Sequence, residues 1–245
     1  MAATELTTLF KTAPWKTQEA VDSFVAQSVG LQAVDLVRVL EILDNKALRA
    51  DAQAHRMRIL AFSKLVEKAA DKALFVPLVR ALKSGDPALR AAITQLLPAV
   101  NSVTDHAELC ALLRSSDAQL RATVAAVLSK IGVKTVFETL AEMLAEHSFP
   151  GRAEAMDVIV SIAEHRAVPA LGTVLAVGST PEKSKALRYL ASTRVVEKDK
   201  PAALKAIATA FGDPTEAVLL QAIAAYSAIA NEDEYFAEIA RFLEE

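Results

Sequence analysis

The sequence predicts an all-α protein made of stacked pairs of helices, and this prediction rests on its composition and on an internal repeat. Of the 245 residues, 53% are hydrophobic but only 5% are aromatic, so the interior must be filled mainly by Ala, Leu, Val and Ile, a mixture that favours closely packed helices. Seven glycines are too few for the many tight turns of an all-β fold. The repeat recurs every 31 residues.

The repeat is clearest in two segments that carry nearly the same motif. Residues 85–97 read GDPALRAAITQLL, and residues 116–128 read SDAQLRATVAAVL. The matching positions are Asp86 and Asp117, Leu89 and Leu120, Arg90 and Arg121, and Leu97 and Leu128, and the next two steps carry Ser148 with Arg152 and Ser179 with Lys183. A polar residue followed by a cation therefore recurs at a fixed spacing.

Two rows of leucines keep the same 31-residue step. One row consists of Leu78, Leu109, Leu140 and Leu171, and the other of Leu82, Leu113, Leu144 and Leu175. The two leucines of each repeat are four residues apart, which places them on one face of a helix. A second helix with its own apolar stripe follows each of these helices. Because one pair of helices cannot cover its own apolar face, the period predicts a stacked array.

Polar residues before proline and isolated glycines predict where the helices begin and end. The expected starts are Asp86-Pro87, Thr180-Pro181 and Asp213-Pro214, since a side-chain oxygen can cap the first free amides and proline is tolerated in the first turn. The expected ends lie at Gly30, Gly85, Gly132, Gly178 and Gly212, since glycine tolerates the left-handed conformation of a C-terminal cap.

The repeat spacing divides the chain into three parts. We expect N-terminal capping helices in residues 1–30, a solenoid in residues 31–230 and an acidic C-terminal capping helix in residues 231–245. The six expected repeats are 31–69, 72–100, 104–131, 133–163, 165–192 and 198–230, with further helices near 3–10, 16–28 and 233–244. The alternative for the last helix is the first half of another repeat.

The order of these features resembles the HEAT repeat, in the bacterial form related to phycobilisome-lyase-type repeats. The shared pattern is a leucine-rich helix, a polar turn, and a DPxxR motif followed by an alanine-rich helix. The resemblance covers about residues 31–230 and is strongest over residues 75–176. It implies a right-handed α–α superhelix, a HEAT-type solenoid of about six two-helix repeats, with the second helix of each repeat on the concave side.

The charge of the chain argues against nucleic acid as its main partner. The formal net charge is −3 and the pI is about 5.9, whereas phosphate binding requires a basic surface. Two stretches are nevertheless basic, and we expect them to form basic patches. They include Arg56, Arg58 and Lys64 in the first repeat, and Lys183 and Lys185 in a later one. Acidic stretches lie between and after them, so a protein partner could match the alternating sign.

The sequence favours a cytoplasmic protein that is not inserted in a membrane. Its single cysteine, Cys110, excludes an intramolecular disulfide. The first residues lack the apolar core of a secretory signal. The longest uncharged helical stretch, AVLLQAIAAYSAIAN at residues 217–231, is shorter than the roughly 20 apolar residues that cross a bilayer.

Residues that could bind metal or perform catalysis occur in patterns typical of structural roles. The HEAT-repeat iron enzyme deoxyhypusine hydroxylase carries paired His-Glu dyads at repeat spacing. Here the dyads Glu146-His147 and Glu164-His165 have the reverse order and lie 18 residues apart. Cys110 falls on a leucine-rich helix, where the repeat register places no activating base beside it. We therefore expect no catalytic residue, no metal site and no cofactor.

The resemblance leaves alternatives of a different class. Phycobilin lyases of this repeat type suggest tetrapyrrole binding, but the low aromatic content argues against a pigment cleft. HEAT-like DNA glycosylases bind DNA in a basic groove that contains a tryptophan. The one tryptophan here, Trp15, lies in the N-terminal extension, where we expect it to anchor the first helices. The alternative function is thus a HEAT-type lyase or a nucleic-acid-binding or nucleic-acid-processing protein, and a helical module of a larger assembly is a third.

The recurring aspartates and arginines predict a structural ladder. In HEAT proteins, the aspartate before the second helix and the arginine at its start commonly bond between adjacent repeats. By that resemblance, Asp86, Asp117, Arg90, Arg121 and Arg152 would hold neighbouring repeats together. The alternative is a solvent-facing row of arginines that binds phosphate or carboxylate.

The 31-residue step also predicts a protein-binding face on the second helices. The expected row is Gln95, Ala126, Asp157 and Arg188, flanked by Thr94 and its equivalents. Its small central residues would let a partner helix or an extended peptide approach closely, and Asp157 and Arg188 would supply directional bonds. The alternative is that these alanines only pack against the next repeat. Since a solenoid offers a broad surface, we expect a non-enzymatic protein-binding scaffold or adaptor.

Overall fold

The structure, a computed structural model, describes residues 3–101, 106–132, 135–163 and 166–244. Over these ranges it consists of α-helices, short 3₁₀ turns and loops, without any strand. The chain forms two compact units, Met1–Leu109 and Cys110–Glu245, which we call unit 1 and unit 2. The division between them falls within one short helix, α7 (His106–Ala111).

Unit 1 is a stack of helical pairs. Its helices are α1 (Ala3–Thr12), α2 (Gln18–Gln27), α3 (Ala33–Leu43), α4 (Ala52–Ala69), α5 (Phe75–Ala81) and α6 (Pro87–Leu96). First helices pack on first helices, as α1 does on α3, and second helices on second helices, as α2 does on α4 and α4 on α6. The helices expected as an N-terminal cap therefore pack like one more pair of the stack.

Aromatic packing fixes the first pair. The indole of Trp15 is buried between two phenylalanines, with ring centres 5.3 Å from Phe10 and 5.0 Å from Phe24. Its Nε1 donates a hydrogen bond to the carbonyl of Phe10 at 2.8 Å, which satisfies the one polar atom of the ring. This confirms the prediction that Trp15 anchors the first helices.

Unit 2 repeats the same packing. Its helices are α8 (Ala118–Ile131), α9 (Thr135–Leu144), α10 (Arg152–Ala163), α11 (Ala167–Val177), α12 (Thr180–Leu190), α13 (Thr193–Ala208), α14 (Glu216–Ile229) and α15 (Glu232–Glu244). The first helices α9, α11 and α13 pack in that order, and so do the second helices α8, α10, α12 and α14. The fold class is all-α of the solenoid type, as predicted.

The leucine rows form the core of these pairs. All eight leucines of the two rows are buried. They are Leu78, Leu82, Leu109, Leu113, Leu140, Leu144, Leu171 and Leu175. The 31-residue step therefore identifies the buried face of the first helices.

The predicted helix starts are confirmed at one position and shifted at two. Asp86 accepts hydrogen bonds from the backbone amides of Ala88 at 2.9 Å and Leu89 at 3.3 Å, with Pro87 at the first position of α6. At α12 the capping residue is Ser179, one residue earlier than expected. At α14 the cap position is Thr215, two residues after the expected one. The local competition between neighbouring hydroxyl and carboxylate acceptors is not visible in the spacing.

Helix ends use glycine less often than expected. Gly132 ends α8 in the left-handed region, with φ of 63°, as predicted. The helix α4 ends in the same conformation at Ala70, with φ of 45°, although alanine is strained there. Gly178 ends α11 with φ of −74°, so it is not a left-handed cap. A β-carbon at Gly178 would lie 2.7 Å from the carbonyl oxygen of Val174, so that glycine is needed for space.

A break in α13 separates two pieces of helix. Asp199 has φ of −158° and ψ of 70°, and its side chain accepts a hydrogen bond from the amide of Ala202 at 3.2 Å. It therefore caps the second piece, in which Pro201 occupies the first turn. The expected start of this repeat at residue 198 agrees with the second piece. Over the described ranges, no helix combines the length and the apolarity needed to cross a membrane.

Candidate functional site

Among the described residues, three ion pairs of one pattern connect successive second helices of unit 2. In each, a cation in the first turn of one second helix bonds a carboxylate at the start of the next one. They are Arg121 Nε to Glu154 Oε1 at 3.0 Å, Arg152 Nη1 to Glu182 Oε2 at 2.7 Å, and Lys183 Nζ to Asp213 Oδ2 at 2.6 Å. We call these three pairs the rungs. They hold α8 to α10, α10 to α12, and α12 to the start of α14.

The two arginine rungs also hold the loop within their own repeat. Arg121 donates to the carbonyl of Ser115 at 2.9 Å, and Arg152 donates to the carbonyls of Leu144 at 3.2 Å and Glu146. The planar guanidinium has five donors, so one side chain can bond both a loop and the neighbouring repeat. Each arginine therefore fixes the position of a loop and of a helix together.

The predicted ladder is present for Arg121 and Arg152, but the acceptor differs from the prediction. Where the register position before the second helix is a serine, as at Ser148 and Ser179, a glutamate of the first turn supplies the carboxylate. Burial acts to raise the pKa of Glu182, but hydrogen bonds from Ser179 and Arg152 outweigh it and hold that pKa below its usual range. The glutamate is therefore ionised across the physiological range.

Unit 1 contains a buried polar cluster around Asp86. Besides capping α6, Asp86 accepts a hydrogen bond from Nε2 of His55, which lies 31 residues earlier. Arg49 approaches the same carboxylate at 3.8 Å and bonds the side chains of Asp44 and Ser84. Burial acts to raise the pKa of Asp86, but the hydrogen bonds from His55 and the helix amides lower it overall. Sequence reasoning missed His55, although its 31-residue offset from Asp86 was a usable signal.

The predicted protein-binding row is accessible where the structure describes it. In unit 1, Gln95 on α6 is exposed, while the hydroxyl of half-buried Thr94 donates to the carbonyl of Arg90 within its own helix. In unit 2, Ala126 and Arg188 are exposed and Asp157 is half-buried. The residue before each of these three in the chain is buried: Ala125, Met156 and Leu187. We call Ala126, Asp157 and Arg188 the accessible row.

Asp157, which is expected to bond a partner, already bonds two residues of α12. Lys185 Nζ lies 2.6 Å from Oδ1 of Asp157, and the hydroxyl of Tyr189 donates to the same oxygen. Burial, followed by the hydrogen bond to Asp157, raises the pKa of Tyr189 to about 12. Arg188 makes no ion pair with any residue that the structure describes. Its guanidinium is therefore available to a partner, whereas the carboxylate of Asp157 is already bonded.

The predicted basic patches are weaker than the sequence suggests. Arg56 is exposed, but Arg58 is only 8% exposed and donates to the carbonyls of Leu48 and Lys11, so its inclusion in a basic patch is wrong. The Arg58 side chain is therefore buried inside unit 1. Lys64 is paired with Asp22 at 2.6 Å.

The two lysines expected in the later patch are likewise paired. Lys183 forms the third rung, and Lys185 bonds Asp157 and the carbonyl of Ala153. An ion pair neutralises the local field that phosphate binding requires. These contacts give no support to the nucleic-acid alternative.

The other residues considered for chemistry have structural surroundings. Cys110 is buried, and burial raises the pKa of its thiol to about 12, so it is a poor nucleophile. His106 bonds the side chain of Asn101 at 2.7 Å and packs edge-on against Phe75. His147 is exposed, and His165 lies outside the described residues. Within the described ranges, no three histidine, cysteine, aspartate or glutamate side chains group as metal ligands.

Comparisons with known proteins add little to these observations. Neither the family models nor the curated proteins compared with the chain give a match. Among solved structures, the chain is similar to "Designed armadillo repeat protein YIII(Dq)4CqI", with 15% sequence identity and a TM-score of 0.33, over 93% of this chain and 92% of that one. The helical-repeat fold follows from the packing described above, and the HEAT resemblance stays a prediction.

Proposed function

We propose that this chain is a non-catalytic protein-binding scaffold and that the accessible row of unit 2 contacts the partner. The observation that supports this is a pattern repeated on α8, α10 and α12. On each of these helices one residue of the row reaches solvent, while the preceding residue is buried in the core. Three stacked helices thus present equivalent positions at a constant step.

The spacing of the helices suits an extended segment. Packed helices lie about 8–10 Å apart, and an extended chain advances about 3.3 Å per residue. A peptide that crosses α8, α10 and α12 would therefore meet the next helix at about every third residue. Such a segment uses the regular step of the solenoid rather than one deep pocket.

The chemistry of the row favours an acidic partner segment. Ala126 has no side chain beyond Cβ, so the backbone of a partner can approach α8 closely. At the other end, the carboxylate of Asp157 is bonded to Lys185 and Tyr189. Arg188 is exposed and forms no ion pair within the described part of the chain. An exposed guanidinium binds a carboxylate through two parallel hydrogen bonds. We therefore assign the α12 end of the row to an aspartate or glutamate of the partner.

Photo-crosslinking tests the proposal. A photoreactive amino acid at Ala126 should capture a protein in cells of the source organism, and mass spectrometry should identify it and the crosslinked segment. In a binding assay with that protein, Arg188→Glu should weaken binding by about tenfold or more, the usual effect of losing a charge-assisted bond and adding repulsion. Arg56→Glu, which reverses an exposed arginine of unit 1, is the matched control.

Two results would contradict the proposal. One is a captured protein whose binding responds equally to Arg188→Glu and to Arg56→Glu, because binding would then follow net charge alone. The other is binding that is unchanged when Ala126→Glu fills the small-residue position and Arg188→Glu reverses the charge. In either case the accessible row is ordinary solvated surface.

A further inference from the structure

A cavity of about 750 Å³ lies in unit 2 among α13, α14 and α15. Three aromatic rings form part of its lining: Phe211, Tyr226 and Phe242. The ring centre of Phe211 lies 5.5 Å from that of Tyr226 and 5.7 Å from that of Phe242. No residue of α15 is fully buried, so this helix covers the cavity without filling it. The volume is that of sites that take small organic molecules rather than single ions.

Tyr226 brings a polar group to this cavity. The residue is only 5% exposed, and its hydroxyl makes no hydrogen bond with any described residue. The hydroxyl is not among the buried polar atoms that lack a partner, so it reaches solvent through the cavity. A ligand atom that bonds this hydroxyl replaces a hydrogen bond to water, at a small net gain in free energy. Tyr226 therefore marks the position at which a polar group of a ligand would lie.

The charged side chains that line the cavity differ in their exposure to solvent. Glu238 is 18% exposed and Glu234 is 38% exposed, whereas Arg241 is 63% exposed and Lys205 is also exposed. Charges nearer the low-dielectric interior act more strongly, and exposed ones are screened by solvent and salt. Both carboxylates hold a cation, since Glu238 accepts from Arg241 and Glu234 bonds Lys200 at 2.8 Å. Glu238 is the least exposed of these charged groups, so its carboxylate acts most strongly on the inner part of the cavity.

The ionisation of Tyr226 agrees with this assignment. Burial raises the pKa of its hydroxyl first, and the carboxylates of Glu238 and Glu234 raise it further, with only partial opposition from Arg241. The hydroxyl oxygen thus lies in a negative field. A negative field beside aromatic rings is the environment that attracts an organic cation.

We infer that this cavity binds an organic cation, an ammonium or guanidinium group carried on an apolar or aromatic body. The cationic head would bond Glu238 and the hydroxyl oxygen of Tyr226, and the body would pack against Phe211 and Phe242. Within the structure the guanidinium of Arg241 already donates to Glu238, which shows the kind of group that this carboxylate accepts. Because Arg241 is largely exposed, a ligand can displace it at small cost.

The competing assignment is an anionic ligand held by Lys205 and Arg241. Both cations lie at the solvent side, where an ion pair contributes little. A carboxylate that entered deeply enough to reach Tyr226 would also approach Glu238. The cation is therefore favoured, and the two assignments predict opposite charge selectivity.

A pair of probes with the same body and opposite charge decides between them. Calorimetric titration of the full chain with tryptamine should show binding at least about tenfold tighter than with indole-3-propionate, the difference expected for one charge-assisted hydrogen bond. A second arm compares acetyl-phenylalanyl-lysine amide with its norleucine analogue. A preference for the lysine peptide assigns the site to a basic side chain of a protein, and tryptamine binding alone assigns it to a free amine.

Substitutions of cavity residues test whether tryptamine binds in this cavity. Glu238→Gln should weaken tryptamine binding about tenfold and Tyr226→Phe about threefold, while Asp233→Asn, which removes an exposed carboxylate of the same helix, should leave it unchanged. Circular dichroism checks folding, and Tyr226→Phe carries the test if Glu238→Gln does not fold. Stronger binding of the propionate, no binding of either cation, or equal effects of the Glu238 and Asp233 variants would overturn the inference. These outcomes are independent of the proposed function, which concerns α8, α10 and α12.

Discussion

Arg152 donates from Nη1 to Oε2 of Glu182 at 2.7 Å while only 3% of its side chain is exposed. The same guanidinium bonds the carbonyl of Leu144, the last residue of α9, and the carbonyl of Glu146 in the loop that follows. One buried cation thus joins the loop of its own repeat to the first turn of α12. The exposed pair between Arg114 and Glu146 has no comparable set of acceptors.

Truncation of Arg152 should destabilise unit 2 strongly. Arg152→Ala removes the donor of two backbone carbonyls and leaves the Glu182 carboxylate with only its bonds from Ser179. Breaking a buried pair from one side costs about 3 kcal/mol. Arg114→Ala, which removes an exposed pair, should cost less than about 1 kcal/mol. Urea unfolding followed by circular dichroism measures both. Equal losses for the two variants would show that Arg152 contributes only a surface charge.

Gly151 should tolerate no side chain. A β-carbon at this position would lie 2.2 Å from the carbonyl oxygen of Leu113, closer than any real contact, so the backbone must shift. Gly151→Ala should lower the free energy of unfolding by about 1–3 kcal/mol, as overpacking does. Gly212→Ala is the control because a β-carbon there meets nothing within 4 Å. A neutral Gly151→Ala would mean that the two repeats can separate freely at this point.

Substitutions at the two left-handed helix ends, Ala70 and Gly132, should change the melting temperature in opposite directions. At Ala70, glycine removes a steric cost of about 1 kcal/mol, so Ala70→Gly should raise the melting temperature. At Gly132, alanine introduces the same cost, so Gly132→Ala should lower it. Thermal unfolding of both variants against the parent protein checks the signs. If Ala70→Gly were destabilising, the helix end at α4 would adopt another conformation in solution.

The carboxylate of Asp86 should make unit 1 sensitive to acid. Its folded pKa lies below the ordinary value of 3.8, so its contribution to stability is present above that value and is lost as the pH falls through the folded pKa. Asp86→Asn should cost about 1.5–3 kcal/mol at neutral pH, the contribution of a charge-assisted bond. The difference from the parent protein should shrink as the pH falls below 3.8.

Urea unfolding at a series of pH values measures this difference. Asp71→Asn serves as its control, since Asp71 caps a 3₁₀ turn through a single amide. If the difference in free energy of unfolding between the parent protein and Asp86→Asn stays constant through the acid range, the bond to His55 does not depend on the aspartate charge.

The repeated part of the fold could be predicted because its core residues recur at a fixed spacing in the sequence. The eight leucines repeat every 31 residues, and all are buried, since the same position of each pair must face the next pair. The helical pairs followed from the same spacing, whereas the anchoring role of Trp15 was predicted from its place in the N-terminal extension. Helix starts were less certain, because several neighbouring polar side chains compete for the same free amides.

The site could be predicted only in part, because contacts across repeats depend on side-chain length and helix rotation. The step placed Ala126, Asp157 and Arg188 in one row, but it could not show that Lys185 and Tyr189 already bond Asp157. Arg58 is a second example: its formal charge suggested a surface patch, while the structure buries it against backbone carbonyls. Charge in a sequence does not show which way a side chain points.

The rungs have a consequence for how the chain acquires its structure. Each joins residues that are only 30 to 33 positions apart. Because no rung joins segments that are distant in sequence, the entropy lost when each loop closes is small. Arrays built from such local contacts fold fast. During synthesis, a helical pair of unit 2 can form its rung with the preceding pair once the roughly 30 residues that separate the two bonded side chains have left the ribosome.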